Sequence, residues 1–191
     1  MTIAEKKRKQ REQIWEAQKA LNEETRQASD FALFQMLRQL EQWRTAKVIF
    51  LFLGIPPEPD TQSLLEDLWY SNVKTAIPLC FGNGYMEPRL ITGMDQLEEG
   101  RYGMLEPTEA CPIVEKQEIS LILTPAVCFD RGGHRIGRGG GYYDRFLQGY
   151  TGCSVGLCRS QFVQSWIPTE SHDQAVNFIV TETEIIHANE C

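Results

Sequence analysis

Residues 48–53 read Val-Ile-Phe-Leu-Phe-Leu, a continuous apolar run of β-favouring residues. A strand with one solvent-facing side alternates apolar and polar residues, whereas an unbroken apolar run is typical of a strand covered on both faces, as in a parallel sheet. The run stops at Gly54, and a proline-rich loop follows over residues 55–59. We therefore expect a buried central strand whose carboxyl end leads into a loop.

Helical and strand-like segments alternate on either side of this run. Helices are predicted over residues 3–21, after a cap at Ser29-Asp30, after Asp60 or Thr61, and from Tyr142 to Leu147. Further strands are predicted over residues 75–80, 119–127, 153–157 and 178–181. Residues 82–112 are turn-rich and are predicted to form a less regular patch of small strands around Met86, Leu90 and Ile91. This alternation predicts a layered α/β fold, and the length of 191 residues fits a single domain over residues 1–191.

Composition and charge exclude several classes of protein. Apolar residues make up 42% of the chain and charged residues 24%, values typical of a globular protein. The net charge of −7 argues against a general nucleic-acid binder, which needs a basic surface. No apolar run reaches membrane length and the N-terminus is too polar for a signal peptide, so we expect neither a nucleic-acid nor a membrane partner.

The cysteines indicate a reducing compartment. Six cysteines are scattered without a C-x-x-C pair, and together with three histidines they show no zinc-ligand spacing. Cys80 and Cys128 fall inside strand-like runs, where a buried thiol behaves as a small apolar residue. We therefore expect reduced thiols and a cytoplasmic protein.

The segment from Arg135 to Asp144 reads Arg-Ile-Gly-Arg-Gly-Gly-Gly-Tyr-Tyr-Asp. Its glycines leave the backbone free to adopt positive φ, so that successive N–H groups can converge on an anion at the start of the following helix. Arg135 and Arg138 can add charged hydrogen bonds to phosphate oxygens, and Asp144 can hold a Mg²⁺ that bridges phosphates. The spacing is neither that of a Walker A loop nor that of the dinucleotide fingerprint. A tight turn with solvated arginines is the alternative interpretation.

A cationic stripe lies on the first predicted helix. At the helical period, Lys7, Arg11, Ile14, Gln18 and Leu21 fall within an arc of roughly 80°. The stripe is cationic at one end and apolar at the other, so an anionic small molecule could use the cationic end. A solvated basic face is the more common meaning of such a charge run.

These segments together closely resemble the signature of the 5-formyltetrahydrofolate cyclo-ligase family. The matching pattern is Phe129-Asp130-x-x-Gly133-x-Arg135-Ile136-Gly137-x-Gly139-x-Gly141-Tyr142-Tyr143-Asp144-Arg145-x-Leu147. Weaker matches follow in the expected order: Lys7-x-x-x-Arg11, the run ending in Leu53 with Glu58-x-Asp60-Thr61, Glu106-Pro107, Gln161, and Pro168-x-x-x-His172-Asp173. The long glycine motif is specific, and the order of the weaker matches supports the same family.

The resemblance implies both a fold and a reaction. The fold is three-layer αβα with a largely parallel, Rossmann-like central sheet (NagB/RpiA/CoA transferase-like). The reaction is the ATP-dependent cyclisation of 5-formyltetrahydrofolate to 5,10-methenyltetrahydrofolate, with ATP and Mg²⁺ as cofactors and ADP and phosphate as products. The formyl oxygen attacks the γ-phosphoryl group, N10 attacks the activated carbon, and phosphate leaves as the ring closes.

The resemblance also implies site residues, position by position. The ATP positions are Lys7, Arg11, Arg135, Ile136, Gly137, Arg138, Gly139, Gly140, Gly141, Tyr142 and Tyr143. The folate positions are Leu53, Glu58, Arg138, Gly139, Gly140, Gly141 and Tyr142, and the metal ligands are Asp144 and Asp173. Arg138 and Tyr142 are the predicted catalytic residues. As a solvated loop residue, Arg138 is expected to matter far more for turnover than for folding.

Two positions depart from the family's pattern. Seven residues after Arg11 the family tends to have arginine, and this chain has Gln18, which removes a third cation from the first helix. Some members carry lysine at the position of Gly140, so that more of the charge stabilisation here falls to Arg138 and the metal.

Several residues have a plainer alternative role. Without the resemblance, Glu58 would be an ordinary loop carboxylate, and Asp60 is interpreted as a helix cap. Tyr142 is favoured over Tyr143 as the ligand-facing ring, although either ring could instead fill the core. Trp166 is a weaker aromatic candidate that we expect in the core.

Three other functions remain open from the sequence. They are an enzyme of related architecture acting on sugar phosphates or acyl-CoA, a non-catalytic folate or nucleotide sensor, and a partner-binding protein without a small ligand. ATP-dependent turnover of 5-formyltetrahydrofolate would exclude the first, and folate binding without ADP release would support the second. The retained Arg138, Asp144 and Asp173 argue against a sensor. The expected partner is 5-formyltetrahydrofolate, and we expect a monomer.

Overall fold

A computed structural model describes residues 1–100 and 103–191. Its helices are α1 (Ile3–Lys19), α2 (Glu23–Leu37), α3 (Glu41–Thr45), α4 (Leu65–Tyr70) and α5 (Tyr142–Leu147). Its strands are β1 (Val48–Phe50), β2 (Lys74–Gly82), β3 (Tyr85–Ile91), β4 (Leu97–Glu99), β5 (Leu105–Pro107), β6 (Leu121–Thr124), β7 (Cys128–Asp130), β8 (Arg135–Ile136), β9 (Cys153–Leu157), β10 (Val163–Gln164), β11 (Phe178–Val180) and β12 (Ile185–His187).

The apolar run at residues 48–53 lies at the centre of the main sheet, as predicted. Within the described ranges this sheet has seven strands in the order β12-β11-β9-β6-β1-β2-β3. β1 pairs in parallel with both β2 and β6, and β9 and β11 continue the parallel arrangement. Antiparallel strands β3 and β12 form the two edges. The strand is shorter than the run, and residues 51–53 stay buried beyond its end.

Helices cover both faces of the sheet and form the predicted three layers. One face packs against α2 and α4 in a core that includes Leu33 and Ile49. The other face packs against α5, where Phe50 lies with Leu147, and against α1 and the small sheet β10-β7-β8 around Ile14. Ile49 and Phe50 belong to opposite cores because successive strand residues point to opposite faces. In the described part of the chain, no helix combines the length and apolar character needed to cross a membrane.

The second helix begins earlier than predicted. Its cap is Asn22, whose side chain accepts a hydrogen bond from the backbone N–H of Thr25 at 2.8 Å. The predicted cap, Ser29-Asp30, lies inside α2. Both residues bond to distant parts of the chain, so that their side chains do not compete with the helix backbone.

Residues 82–112 are more regular than predicted. β2 and β3 form an antiparallel hairpin that extends the main sheet, and its turn has positive φ at Gly82, Asn83 and Gly84 (93°, 52° and 75°). A Gly-Asn-Gly sequence is a hairpin signal because these residues tolerate positive φ. β4 and β5 add a two-stranded sheet. The part of the prediction that concerns residues 101 and 102 lies outside the described residues.

One cysteine pair contradicts the prediction that all thiols are reduced. Cys153, the first residue of β9, is joined to Cys191 by a disulfide with the two Cα atoms 5.1 Å apart. A separation of 38 residues hides this pairing from the sequence, because only the fold brings the two positions together. Among the free thiols, burial raises the pKa of Cys128 to about 12, consistent with its role as a small apolar residue. The cysteines therefore do not indicate whether the protein resides in a reducing or an oxidising compartment.

Candidate active site

The glycine loop, residues 137–141, connects β8 to α5 and has the predicted open backbone. The φ angle is +99° at Gly139 and +68° at Gly141, values that favour glycine. At Gly140 a Cβ atom would lie 2.8 Å from the ring of Tyr142, whereas at Gly137 it would meet nothing within 4 Å. Since α5 has only six residues, any predicted anion contact here would rely on the N–H groups of the loop itself and little on a helix end.

The cations of α1 reach this region. The Nε of Arg11 donates a hydrogen bond to the carbonyl oxygen of Gly137 at 2.6 Å. The Nζ of Lys7 lies 2.5 Å from an oxygen of Asp173 and 3.1 Å from one of Glu170. The basic end of the predicted stripe is therefore docked on the site and is not a freely solvated face.

Gln18 occupies the buried end of the same stripe. Its side chain is 5% exposed and donates a hydrogen bond to the carbonyl oxygen of Val127 at 2.7 Å. The position where the family tends to have arginine thus serves packing in this chain, and the glutamine satisfies a backbone acceptor that would otherwise be buried without a donor.

Arg135 is buried and forms part of the scaffold under the glycine loop. Its guanidinium donates to the carbonyl oxygen of Gln174 and, at 2.7 Å, to a carboxylate oxygen of Asp144. Asp144 also accepts a hydrogen bond from the N–H of Gln174 at 3.1 Å. Burial lowers the pKa of Arg135, and the nearby charges of Asp144 and Asp173 oppose that shift. Arg135 therefore connects the loop to the segment that carries Asp173.

The two predicted metal ligands lie near the same guanidinium. Burial by itself would raise the pKa of Asp173, but hydrogen bonds from Lys7 and from the N–H of Glu170, together with the charge of Lys7, lower it overall. Within the described ranges, no group of three or more His, Cys, Asp or Glu side chains forms a complete metal centre. Mg²⁺ in nucleotide sites typically uses one or two carboxylates together with substrate phosphates. The chemistry of Asp144 and Asp173 fits that requirement.

Arg138 links the glycine loop to the loop after β1. Its Nε lies 3.1 Å from a carboxylate oxygen of Glu58, and its guanidinium lies 4.8 Å from the centre of the Trp15 ring. Burial raises the pKa of Glu58, while Arg138 and the N–H of Ile55 oppose the shift. Arg138 is therefore a partnered residue with 38% of its side chain exposed, and the expectation of a merely solvated arginine is wrong.

Trp15 is the residue that the sequence analysis missed. It lies four residues after Arg11, so it belongs to the same side of α1 and contacts the site through Arg138. An aromatic residue one turn beyond a proposed cationic contact is a weak signal in a single sequence. Leu53, predicted for the folate side, is buried at 6% exposure just before the loop of Glu58.

The two tyrosines after the loop differ in their surroundings. Tyr142 packs against the core beneath α5 and against Gly140. The ring of Tyr143 stacks with Phe50 at 6.3 Å between centroids, and its buried hydroxyl has no hydrogen-bond partner among the described residues. Burial raises the pKa of Tyr143, and the nearby Cys80 and Glu58 raise it further. A bound ligand could supply the missing partner of that hydroxyl.

Trp166 is not in the core, contrary to prediction. Its side chain is 61% exposed, on a segment that α1 holds through a hydrogen bond from Gln10 to the carbonyl oxygen of Trp166 at 3.5 Å. Gln10 also donates to the side chain of Gln164 at 3.3 Å, and it is the neighbouring Ile167, at 1% exposure, that enters the core.

Sequence and fold comparisons agree on one family. The chain is 32% identical to the 5-formyltetrahydrofolate cyclo-ligase of Haemophilus influenzae over 154 residues, covering 77% of this chain and 81% of the relative. It is 26% identical to that of Mus musculus over 197 residues, covering 95% and 96%. Its fold matches the 5,10-methenyltetrahydrofolate synthetase of Aquifex aeolicus with a TM-score of 0.86 at 27% identity, covering 97% of this chain and 94% of that one. Residues 3–182 match the model of the 5-formyltetrahydrofolate cyclo-ligase family, so the chain belongs to the family that its glycine motif predicts.

Proposed function

We propose that this protein converts 5-formyltetrahydrofolate to 5,10-methenyltetrahydrofolate with the consumption of ATP and the release of ADP and phosphate. The observation that carries the proposal is the contact between Arg138 and Glu58. It joins the glycine loop, which can bind a polyphosphate, to the loop after β1, whose buried Glu58 carboxylate can bind a pterin. Family membership supports the same reaction.

On the nucleotide side, the glycine loop and α1 form the proposed phosphate site. The loop offers backbone N–H groups, and Lys7 and Arg11 supply positive charge from one helix face. Lys7 is paired with Asp173 here, so binding of ATP would exchange a carboxylate for phosphate oxygens around its ammonium group. Arg135 remains an ATP position by family resemblance, and its buried contacts support a positioning role beneath the loop.

Asp144 and Asp173 are the proposed residues for Mg²⁺. When bound there, the ion would neutralise negative charge on phosphate oxygens. The two carboxylates would need to exchange Arg135 and Lys7 for the metal, and the phosphates are the natural new partners of those cations. We expect Asp173→Asn to raise the Mg²⁺ concentration needed for half-maximal Mg·ATP binding, measured by calorimetry.

On the folate side, Glu58 and Leu53 are the proposed contacts. A buried carboxylate can accept two hydrogen bonds from a pair of N–H groups, such as those on the edge of a pterin. The formyl oxygen must attack the γ-phosphoryl group, so the two substrates have to meet beside Arg138. Catalysis in such a reaction comes mainly from positioning and charge neutralisation, which the loop N–H groups and the cations around them are suited to supply.

The direct test is a spectroscopic assay with the purified protein. We expect the near-ultraviolet absorbance of the methenyl product to rise only when ATP, Mg²⁺ and 5-formyltetrahydrofolate are all present, with one ADP formed per product. No ATP-dependent rise under saturating substrates would refute the proposal. Folate binding without ADP release would instead identify a sensor.

The proposal treats residues 1–191 as one catalytic domain that acts as a monomer. A cytoplasmic location also remains a prediction. Sedimentation of the purified protein with and without substrates would test the monomer.

A further inference from the structure

The loop that carries Glu58, residues 54–60, has a shape that is partly set from within. The N–H of Glu58 donates to the carbonyl oxygen of Ile55 at 2.9 Å, and the N–H of Ile55 donates to the Glu58 carboxylate at 3.4 Å. At its start, the N–H of Gly54 donates to the hydroxyl of Thr61 at 3.0 Å. These local bonds shape the loop, and the hydroxyl of Thr61 also ties its end to the carbonyl oxygen of Phe52.

A buried ion pair outside the loop holds its backbone from a different side. One guanidinium nitrogen of Arg159 donates to the carbonyl oxygen of Pro57 at 2.7 Å, and another lies 2.5 Å from Asp30. The second oxygen of Asp30 accepts a hydrogen bond from the N–H of Asp60 at 3.0 Å. The pair therefore grips the loop backbone on both sides of Glu58, at the residue before it and two residues after it.

The pair is built into rigid elements. Asp30 lies in the middle of α2, and Arg159 follows the carboxyl end of β9, a central parallel strand. Their chain neighbours are also joined, because Glu182 accepts from the hydroxyl of Ser29 at 2.5 Å and from the N–H of Ser160 at 2.6 Å. Two parallel connections thus hold helix and strand end together behind the loop.

Burial makes this arrangement sensitive to small changes. Arg159 is 3% exposed, and 13% of the Asp30 side chain is exposed. A buried charge is stable only when its partners are in place, so neither side chain can shift independently. The hydrogen bonds that these two side chains make go to each other and to the loop backbone, while the buried Nε of Arg159 has no partner among the described residues. Arg138, by contrast, contacts the Glu58 carboxylate itself.

We propose that Asp30 and Arg159 are a positioning pair for folate recognition, which holds the Glu58 loop so that its carboxylate meets the substrate. Neither residue is proposed to touch substrate. The inference rests on the proposed folate contact of Glu58, and it assigns to two sequence-distant residues a role in substrate affinity. A misplacement of about 1 Å at a reacting site can cost on the order of 100-fold, so small changes in this pair should be measurable.

Two conservative variants separate positioning from gross folding. Arg159→Lys keeps the charge but cannot reach Asp30 and the Pro57 carbonyl with a planar fork. Asp30→Asn keeps the shape but turns one acceptor into an amide donor that faces either Arg159 or the N–H of Asp60. We expect each to raise the KM for 5-formyltetrahydrofolate roughly 10- to 100-fold while changing the KM for ATP less than about threefold. Thermal unfolding and near-ultraviolet circular dichroism would verify that each variant is folded.

The matched control is another ion pair of the same helix. Arg38, at the end of α2, pairs with the exposed Asp67, and Arg38→Ala should leave both KM values unchanged because surface pairs contribute little. An equal rise in the KM for folate and for ATP in Arg159→Lys would indicate general loosening and overturn the proposal.

A double-mutant cycle with Glu58→Gln tests the route of the effect. If the pair acts through Glu58, Arg159→Lys should weaken folate binding much less in the Glu58→Gln background than in the wild type. Equal factors in both backgrounds would overturn the positioning role while leaving the folate contact of Glu58 intact. If Glu58→Gln alone left folate binding unchanged in a protein that still cyclises the substrate, the folate contact and the positioning role would both fall.

Discussion

Replacement of Arg138 by alanine separates the catalytic from the structural contribution of one side chain. The change removes a partly exposed ion pair with Glu58 and a contact with the Trp15 ring. The ion pair contributes up to about 1 kcal/mol at this exposure, and the cation–π contact contributes about 0.5–1 kcal/mol. We therefore expect the free energy of unfolding to fall by roughly 1–2 kcal/mol. That is more than a fully solvated arginine would give.

The expected loss of turnover is larger. Removal of one preorganised donor that stabilises developing charge typically costs about 100- to 1,000-fold in kcat, or roughly 3–4 kcal/mol of barrier. A domain with a typical stability of about 5–15 kcal/mol remains almost wholly folded after losing 1–2 kcal/mol. The activity lost by Arg138→Ala therefore cannot be explained by unfolding.

The assay compares methenyl-product formation with urea unfolding of the same preparations. Arg131→Ala is the matched control, because Arg131 follows the neighbouring strand β7 but pairs with Glu184 at the surface, with 63% of its side chain exposed. We expect the control to keep normal turnover and stability. Near-normal kcat in a folded Arg138→Ala protein would refute the assignment of Arg138 to the transferring phosphate.

Acidity provides a second readout for Arg138→Ala. Burial raises the pKa of Glu58 and Arg138 opposes the rise, so without Arg138 this pKa moves further up. As the pH is lowered, the variant should lose folate affinity at a higher pH than the wild type. For a carboxyl whose pKa is raised on folding, stability is fully present below the unfolded pKa and is lost as the pH rises through the folded pKa. The stability deficit of the variant should therefore shrink in acid, which urea unfolding at several pH values would measure.

Three further variants test the scaffold. Gly139→Ala places a side chain on a backbone with φ +99°, so it should lower the free energy of unfolding by about 1–3 kcal/mol and weaken ATP binding. The control Gly137→Ala, whose Cβ would meet nothing within 4 Å, should change the free energy of unfolding by less than about 0.5 kcal/mol. Gln18→Ala leaves the Val127 carbonyl without its donor, so urea unfolding should show a loss of about 1–3 kcal/mol with saturated turnover unchanged. The disulfide joins residues 38 positions apart and should therefore add about 3–4 kcal/mol to the free energy of unfolding. A reductant should destabilise the wild type but not Cys191→Ser. The same stability of oxidised and reduced wild type would contradict that pairing.

The central sheet was predictable because its pattern is local. An unbroken apolar run at residues 48–53 requires cover on both faces, and the parallel neighbours on both sides of β1 provide it. The strand over residues 75–80 was predicted, but its pairing with β3 as one regular hairpin was not, although Gly82-Asn83-Gly84 is a turn signal. Pro88 obscured the strand pattern of β3. The early start of α2 was missed because Asn22 and Ser29-Asp30 are equally good caps in isolation, and only tertiary partners decide between them.

The open backbone of the glycine loop was also predictable from sequence, because glycine itself tolerates the positive φ found at Gly139 and Gly141. The side-chain contacts around the loop could not be predicted from sequence. Lys7 meets Asp173 across 166 positions, and no spacing rule in a single chain predicts which carboxylate a lysine will contact. Trp15 was overlooked for the same reason, because its contact is with Arg138, which is distant from it in sequence.

Three cations of the candidate site each contact a carboxylate, whereas Arg11 contacts the backbone carbonyl of Gly137. Lys7 contacts Asp173, Arg135 contacts Asp144, and Arg138 contacts Glu58. Each of these cations is a proposed neighbour of phosphate, and each carboxylate is a proposed neighbour of the metal or the pterin. Ligand binding therefore exchanges one partner for another and leaves no charge unpaired. Exchange is favourable only if the new partners arrive together, because a fully buried charge left alone costs on the order of 3–5 kcal/mol. The partly exposed Arg138–Glu58 pair contributes less, up to about 1 kcal/mol. We therefore expect nucleotide, metal and folate to bind more tightly together than singly at the proposed site, and calorimetry with each ligand alone and in combination would test this.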